Sequence, residues 1–367
     1  MRVLLLGGAG DMALEALREL AREEDCVQSV TVADLNEAKA EAACQEAGLS
    51  ERGQVTVHDL TDAAWLRKAM QAHDVTLGFA GPFYRLERPL AEVSLDAGKP
   101  YVSIADDYDA YLSVWELEGK AKDAGVKILT GWGNSPGITQ MLAREGYNQL
   151  SHPRKVHVQW AGGSNEDVGA TNLMHLFHIF NGTALQTVEG REQPLPAGKA
   201  MKRVVFPEPV GELPVYTTGH AESVTLPRNL EGLEEATVHG GVHPPYIAKL
   251  AKLLSALGLF KNHQRRVLLA RFFHKIEGVF AAGGADKSVG RVDVYDESGD
   301  RFIGTYVGHI ARLTALPAVQ AALWLHEGRF DEKPGGVYSP ERLLEDPVPF
   351  LDALIEKGVD IRRERAT

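Results

Sequence analysis

Two short stretches of this chain have the residue types and spacing to hold a dinucleotide. Gly8, Gly10 and Ala13 fit the pattern G-x-G-x-x-G/A, directly after an apolar run at 3–6. The stretch that follows, 11–23, has apolar residues at Met12, Ala16, Leu17 and Leu20, which is helical spacing. A glycine turn from strand into helix exposes N–H groups and a helix dipole to a diphosphate. Gly8 permits the tight turn, Gly10 lets the backbone approach, and Ala13 is small enough for close helix–strand packing; Asp11 and Met12 lie beside the phosphates. A second β-branched run, 29–33, ends in Asp34, placed for a carboxylate that accepts hydrogen bonds from the adenosine ribose. Leu35, Asn36 and Glu37 follow with no cation before Lys39, so a 2′-phosphate is repelled and NAD is favoured over NADP. Asp59 either faces the adenine or caps the next helix. Ala80, Gly81 and Pro82 follow the fourth strand, where the nicotinamide half passes.

These residues need a scaffold, and the hydrophobic pattern supplies one. Strands are expected at 2–6, 29–33, 55–57, 75–79, 101–104 and 126–129, with helices at 11–23, 36–47, 63–71, 90–97 and 114–124 between them. Such alternation implies a parallel, doubly wound sheet. After Gly131 the pattern changes. Ser135 caps a helix running to about 150, with Pro136 in its first turn. Strand-like pieces follow at 155–161, 203–206, 214–218, 223–226, 236–240 and 274–281, with a helix at 245–257. A hairpin is expected at 291–295 and 302–307, turning through 296–300. The last helices fall at 318–327 and 348–357. The fold class is α/β: a Rossmann doubly wound sheet plus an α+β mixed-sheet second domain, inserted into the first or following it. The expected boundaries are 1–133 for the Rossmann domain, 134–307 for the second domain, and 308–367 for the C-terminal helices.

Composition removes other classes. The chain has 367 residues, 44% hydrophobic and 24% charged, with 39 Lys+Arg against 50 Asp+Glu and a net charge of −11. An acidic chain is a poor nucleic-acid binder, and no partner of that kind is expected. No apolar run reaches ~18 residues, so no membrane partner is expected, and the opening run is too short for a signal peptide. Two cysteines, Cys26 and Cys44, give no disulfide scaffold and fit a reducing cytoplasm. The acidity is uneven: residues 1–150 carry 14 basic and 24 acidic groups, whereas 236–276 carry seven basic groups and no acidic one. That basic run either faces an anionic ligand or is a solvated helix face. His175 and His178 lack companion ligands, and no metal is expected. No nucleophile elbow or P-loop is present.

Taken together, VLLLGGAGDMALEALREL, VADLNEAKAE, GFAGPFY and KDAGVKILTGWGNSPGITQMLA resemble the saccharopine dehydrogenase superfamily, nearest its lysine 6-dehydrogenase branch. TLPRNLEGL, HIARLTALPAVQAALWLHEG, GGVYSPERLL and FLDALIEKGVDI continue the likeness. It is good over 1–145 and 302–360 and weak over 150–300. The resemblance implies a Rossmann domain completed by the C-terminal helices of 308–367, an inserted mixed-sheet domain at 134–307 for substrate and dimerisation, a homodimer, and NAD(P)-dependent hydride transfer at a C–N bond of an amino acid or amine. The sequence departs from many members at strand five: where they carry an Asp two residues after the tyrosine, Tyr101 is followed by Val102 and Ser103.

Hydride removal beside an amine requires the nitrogen neutral, so a nearby base helps. Groups at the ends of strands four to six face the nicotinamide. These are Tyr84 and Arg85, then Asp106, Asp107 and Tyr108, then Asn134 and Ser135. Asp107 is the first candidate for the base, with Tyr84 beside it. Arg85 could grip a substrate carboxylate. Arg228 and His243 are further substrate candidates, with Asn134 and Ser135. Two alternatives accompany this reading: an NADPH-dependent reductase joining an amine to a carbonyl compound, as carboxynorspermidine-forming relatives do, and a non-catalytic dinucleotide sensor.

Overall fold

The computed structural model describes residues 1–166, 179, 182–257, 259, 264–265, 268–269 and 284–366. The chain divides into two units, Met1–Gly137 with Ala311–Leu343, and Ile138–Ile310 with Leu344–Thr367.

The first unit alternates strand and helix: β1 (Arg2–Leu6), α1 (Asp11–Arg22), β2 (Ser29–Asp34), α2 (Glu37–Glu46), β3 (Gly53–Val57), α3 (Ala63–Ala72), β4 (Val75–Gly78), α4 (Phe83–Ala97), β5 (Tyr101–Ser103), α5 (Tyr108–Trp115), α6 (Glu118–Ala124) and β6 (Lys127–Leu129). Val3, Leu4, Leu5 and Leu6 are all fully buried, as a central parallel strand covered on both faces requires. The helices bury apolar stripes; α1 turns Ala13, Ala16, Leu17 and Leu20 inward.

The second unit opens with α7 (Ile138–Gln149), then β7 (Pro153–Gly163), β8 (Thr183–Val188), β9 (Arg191–Pro196), β10 (Lys202–Val205), β11 (Glu212–Thr217), α8 (Glu222–Asn229), β12 (Glu235–His243), α9 (Tyr246–Ala256), β13 (Ser288–Asp296) and β14 (Arg301–Gly308). The chain then runs through α10 (Ile310–His326), β15 (Gly336–Tyr338), α11 (Pro340–Leu343), α12 (Val348–Glu356) and β16 (Asp360–Ala366).

The first sheet has the order β15-β6-β5-β4-β1-β2-β3 and is parallel throughout. The strand order reverses at β1, which is where doubly wound sheets bind ligands at their carboxyl ends. The second sheet runs β10-β11-β12-β7-β13-β14-β16; β12 and β7 are parallel, and its other pairs are antiparallel. β8 and β9 form a hairpin attached beside β12.

Several expectations need correction. Residues 223–226 form part of helix α8 rather than a strand. Their β-branched types suit a strand, but Glu222 to Leu226 are buried, and the Ser223 hydroxyl donates to the Leu185 carbonyl at 2.7 Å, so packing overrides propensity. The helix expected from Ser135 starts at Ile138 instead. Gly137 has φ +133°, outside the helical range, and a Cβ there would overlap the Gly133 carbonyl. α4 begins at Phe83 rather than near 90, and the helix expected at 114–124 is two helices, α5 and α6. Residues 308–367 do not all return to the first unit. Residues 344–367 belong to the second, where β16 pairs with β14 from Asp360↔Val307 to Ala366↔Arg301. β15 supplies a seventh parallel strand that the sequence pattern did not signal. The strand expected at 274–281 lies outside the described residues.

Candidate functional site

The glycine turn is shaped by its neighbours in the sheet. Gly7, not Gly8, takes the left-handed backbone, φ +87°, and its Cβ would lie 2.7 Å from the Ala80 Cα. The loops after β1 and β4 therefore meet backbone to backbone. Gly8 is buried, and a Cβ there would overlap Val32 Cγ1 of β2. Gly10 is exposed, and a Cβ there would meet nothing nearer than the Gly7 carbonyl at 3.7 Å. It stands at the N-cap of α1, and no side chain caps it. Asp11 is exposed, Met12 half-buried, and Ala13 packed inward. The uncapped, open helix start fits a diphosphate.

Asp34 ends β2 beside this turn. Its Oδ2 accepts from the Ala9 N–H at 2.9 Å and its Oδ1 from the Asn36 N–H at 2.8 Å. The carboxylate is thus tied to the glycine turn, where ribose hydroxyls would reach it. Asp59 does not cap α3; Asp62 does, accepting from Ala64 and Trp65 N–H groups at 3.1 Å. Asp59 is exposed and accepts from the Thr61 N–H at 2.9 Å and its hydroxyl at 2.8 Å, which lowers its pKa. Ala80 is buried, and Gly81 and Pro82 are half-buried ahead of α4.

The candidate chemical groups cluster at the carboxyl ends of β4 to β6. Asp107, 2% exposed, follows β5 and stands at the N-terminal end of α5, where its side chain makes no capping hydrogen bond. Its Oδ2 accepts from the Tyr84 N–H at 3.3 Å. Tyr84 sits in the first turn of α4, so the carboxylate meets the positive end of that helix. The two residues chosen from sequence are therefore joined. The Tyr108 phenol is half-buried and its pKa is raised by burial, then by Asp109 and Asp107. Arg85 is exposed in the same turn as Tyr84. Asn134, 8% exposed, follows β6, and its Oδ1 is buried with no partner among the described residues. Such an acceptor is suited to a ligand N–H. Ser135 is half-buried beside it.

Sequence reasoning missed Glu87. It lies fully buried on α4, one turn after Tyr84. Its Oε2 accepts from the Tyr101 hydroxyl at 3.0 Å and the Ser103 hydroxyl at 2.7 Å, and its Oε1 from the Thr130 hydroxyl at 2.8 Å. Burial raises its pKa against the opposing effect of the three hydroxyls. The signal was present: Glu87 shares the stripe of Leu90, Ala91 and Ser94, all buried.

The second unit holds the remaining candidates. Arg228 is not available to grip a substrate carboxylate: its guanidinium donates to the Val224 carbonyl at 2.6 Å and pairs with Glu192 at 2.6 Å. His243 Nδ1 accepts from the Ala285 N–H at 3.1 Å, which leaves Nε2 to carry the ring proton. His239 is buried and neutral, its pKa pulled down to about 3 by burial and then by Lys202. His175, His178, Lys261, Arg266, Arg271 and Lys275 lie outside the described residues. Among the described residues there is no group of three His, Cys, Asp or Glu that could hold a metal, and no helix long and apolar enough to cross a membrane.

Residues 3–129 match the family described as the saccharopine dehydrogenase NADP binding domain. Carboxyaminopropylagmatine dehydrogenase from Synechocystis sp. is 23% identical, with 98% of this chain and 96% of that protein covered. The apo structure of histidine-tagged saccharopine dehydrogenase (L-Glu forming) from Saccharomyces cerevisiae aligns over 100% of both chains, with TM-score 0.70 and 15% identity. That likeness is one of fold: a parallel Rossmann-like sheet with a second, mixed-sheet domain.

Proposed function

We propose, from the match of residues 3–129 to the saccharopine dehydrogenase NADP binding domain, an NAD-dependent oxidoreductase acting at a carbon–nitrogen bond of an amino acid or amine. The observation that carries the reading is Asp107: a buried carboxylate at the carboxyl end of a Rossmann strand, oriented by the Tyr84 N–H. When bound, the nicotinamide supplies the hydride acceptor or donor. Asp107 takes the proton from the amine nitrogen in oxidation and returns it in reduction. The substrate loses one C–H hydride and one N–H proton, a C=N bond forms, and water then divides it into a carbonyl compound and a free amine. Tyr84 orients the substrate nitrogen, Arg85 grips a carboxylate, and Asn134 Oδ1 with Ser135 accepts and donates at the remaining polar groups.

For the cofactor we propose NAD, although the matching family model is described as NADP binding. Asp34 supports this, because its carboxylate stands where a 2′-phosphate would have to sit, and the next residue, Leu35, is 70% exposed and uncharged. The relative from Synechocystis sp., by name a carboxyaminopropylagmatine dehydrogenase, supports a second, amine-related reading, an NADPH-dependent reductase that joins an amine to a carbonyl compound. The same residues serve it, with Asp107 as acid. A homodimer in the cytoplasm completes the reading.

The test is a panel of amino acids and amines with NAD, and of amine–keto acid and amine–aldehyde pairs with NADH and NADPH, followed by nicotinamide absorbance. Turnover is expected with at least one amine. Asp107→Asn should then lower kcat by roughly 10²–10⁴-fold, the usual contribution of a positioned acid–base group. Cofactor binding without turnover anywhere in the panel would leave the sensor reading in its place.

A further inference from the structure

We propose that Glu87 is a positioning residue: through Ser103 its buried carboxylate fixes the segment that carries Asp107. The proposal rests on the reading of Asp107 given above. The contacts form a closed circuit. The Ser103 hydroxyl donates to Glu87 Oε2 at 2.7 Å and accepts from the Ala105 N–H at 3.0 Å. Ala105 stands two residues before Asp107, whose Oδ2 accepts from the Tyr84 N–H at 3.3 Å. Tyr84 lies on α4, one turn before Glu87, which closes the circuit.

The remaining contacts hold Glu87 in place from two other directions. The Thr130 hydroxyl at the end of β6 donates to Oε1 at 2.8 Å, and the Tyr101 hydroxyl to Oε2 at 3.0 Å. The Tyr101 phenol reaches Glu87 by crossing β4 over Gly78, where any Cβ would overlap its hydroxyl. For stability alone, apolar side chains in place of both the carboxylate and its three hydroxyls would serve as well. What a carboxylate adds is direction: each oxygen fixes the hydroxyls that approach it. Ser103 is the only one of the three whose hydroxyl also holds the Asp107 segment.

The experiment compares Glu87→Leu, Glu87→Gln, Ser103→Ala and Thr130→Val in the full chain. Hydrogen exchange is read over residues 104–112 and, as the internal control, over 29–34; NADH affinity is read by fluorescence. With the substrate found by the panel, kcat and KM are read separately. Ser103→Ala and Glu87→Leu should speed exchange over 104–112 by ~10-fold or more and leave 29–34 unchanged. They should lower kcat by ~10-fold, because small misplacements of reacting groups are costly, with NADH affinity within ~2-fold. Glu87→Gln, which can still bond to the hydroxyls, should restore most of both, and Thr130→Val should leave 104–112 near wild type. Unchanged exchange over 104–112 in Ser103→Ala overturns the proposal, as does equal loosening of 29–34. If Asp107→Asn leaves kcat intact while Ser103→Ala still loosens 104–112, the reading of Asp107 fails and the positioning stands. The converse pair of results sinks the positioning alone.

Discussion

At the scale of single residues, Asp34 has two tasks for one carboxylate. In the protein it accepts from the Ala9 and Asn36 N–H groups, which ties Oδ2 to the glycine turn and Oδ1 to the start of α2. A bound ribose would add hydroxyl donors to the same oxygens, and a 2′-phosphate would bring like charge against them. Asp34→Ala should therefore weaken NADH by ~10-fold and narrow its advantage over NADPH. Fluorescence titration with both cofactors measures this, and an unchanged NADH-to-NADPH ratio ends the role given to Asp34. Asp34, Gly8, Gly10 and Ala13 were legible because strand, turn and helix lie within one contiguous stretch. Gly7 was not, because its constraint comes from Ala80, distant in sequence and adjacent only after β4 forms. Asp59 and Asp62 show a different limit. Asp62 stands directly before α3 and caps it, while Asp59, three residues earlier, bonds within its own turn to Thr61. Arg228 looked like an available cation until Glu192 of the β8–β9 hairpin was found beside it.

At the scale of elements, β15 shows how a three-residue strand is held. Glu118 Oε2 accepts from the Val337 N–H at 2.7 Å, and its two oxygens take Arg342 at 2.6 and 3.1 Å. The Arg342 guanidinium lies 4.6 Å from the Trp115 ring and 5.1 Å from that of Tyr338. Burial works against the Glu118 charge, yet hydrogen bonds from Arg342, Val337 and Lys122 prevail and hold its pKa down at about 2, from 4.5. The folded state thus binds this proton less readily than the unfolded state. Its contribution is fully present above about pH 4.5 and is lost as the pH falls toward 2. Glu118→Gln should destabilise the protein by roughly 1–3 kcal/mol near neutral pH. It should also flatten the fall in stability across that acid window. Urea titrations at several pH values check both, and a variant whose stability falls as steeply as wild type across the window contradicts the clamp. This strand was not legible from sequence, because Gly336–Tyr338 is too short for a period and its partners lie on α5 and α6. α8 escaped for the opposite reason: its Ser-Val-Thr run carries a clear local preference that burial overrules.

At the scale of the whole molecule, the chain visits each unit twice. Strands β1 to β6 of the first sheet were readable because each announces itself before a helix, whereas the second sheet is assembled from distant pieces. Its last strand, β16, reads as charged and exposed, DIRRERA, and only its pairing with β14 shows where it belongs. Ile361 and Arg363 are among the side chains that anchor it. Ile361 is 9% exposed opposite Tyr306, and Arg363 pairs with Asp352 at 2.7 Å and Glu145 at 3.6 Å. A charge at Ile361 would lose that apolar burial and demand solvation at a site with little access to water. Ile361→Asp should cost about 2–3 kcal/mol by those two effects. The loss should fall on one unit. Amide exchange should quicken in β14, over Arg301–Gly308, while β1, over Arg2–Leu6, keeps its protection and NADH its affinity. Equal loosening of β1 and β14 would assign the C-terminal segment to both units, and protection of β14 unchanged from wild type would deny β16 its anchoring role.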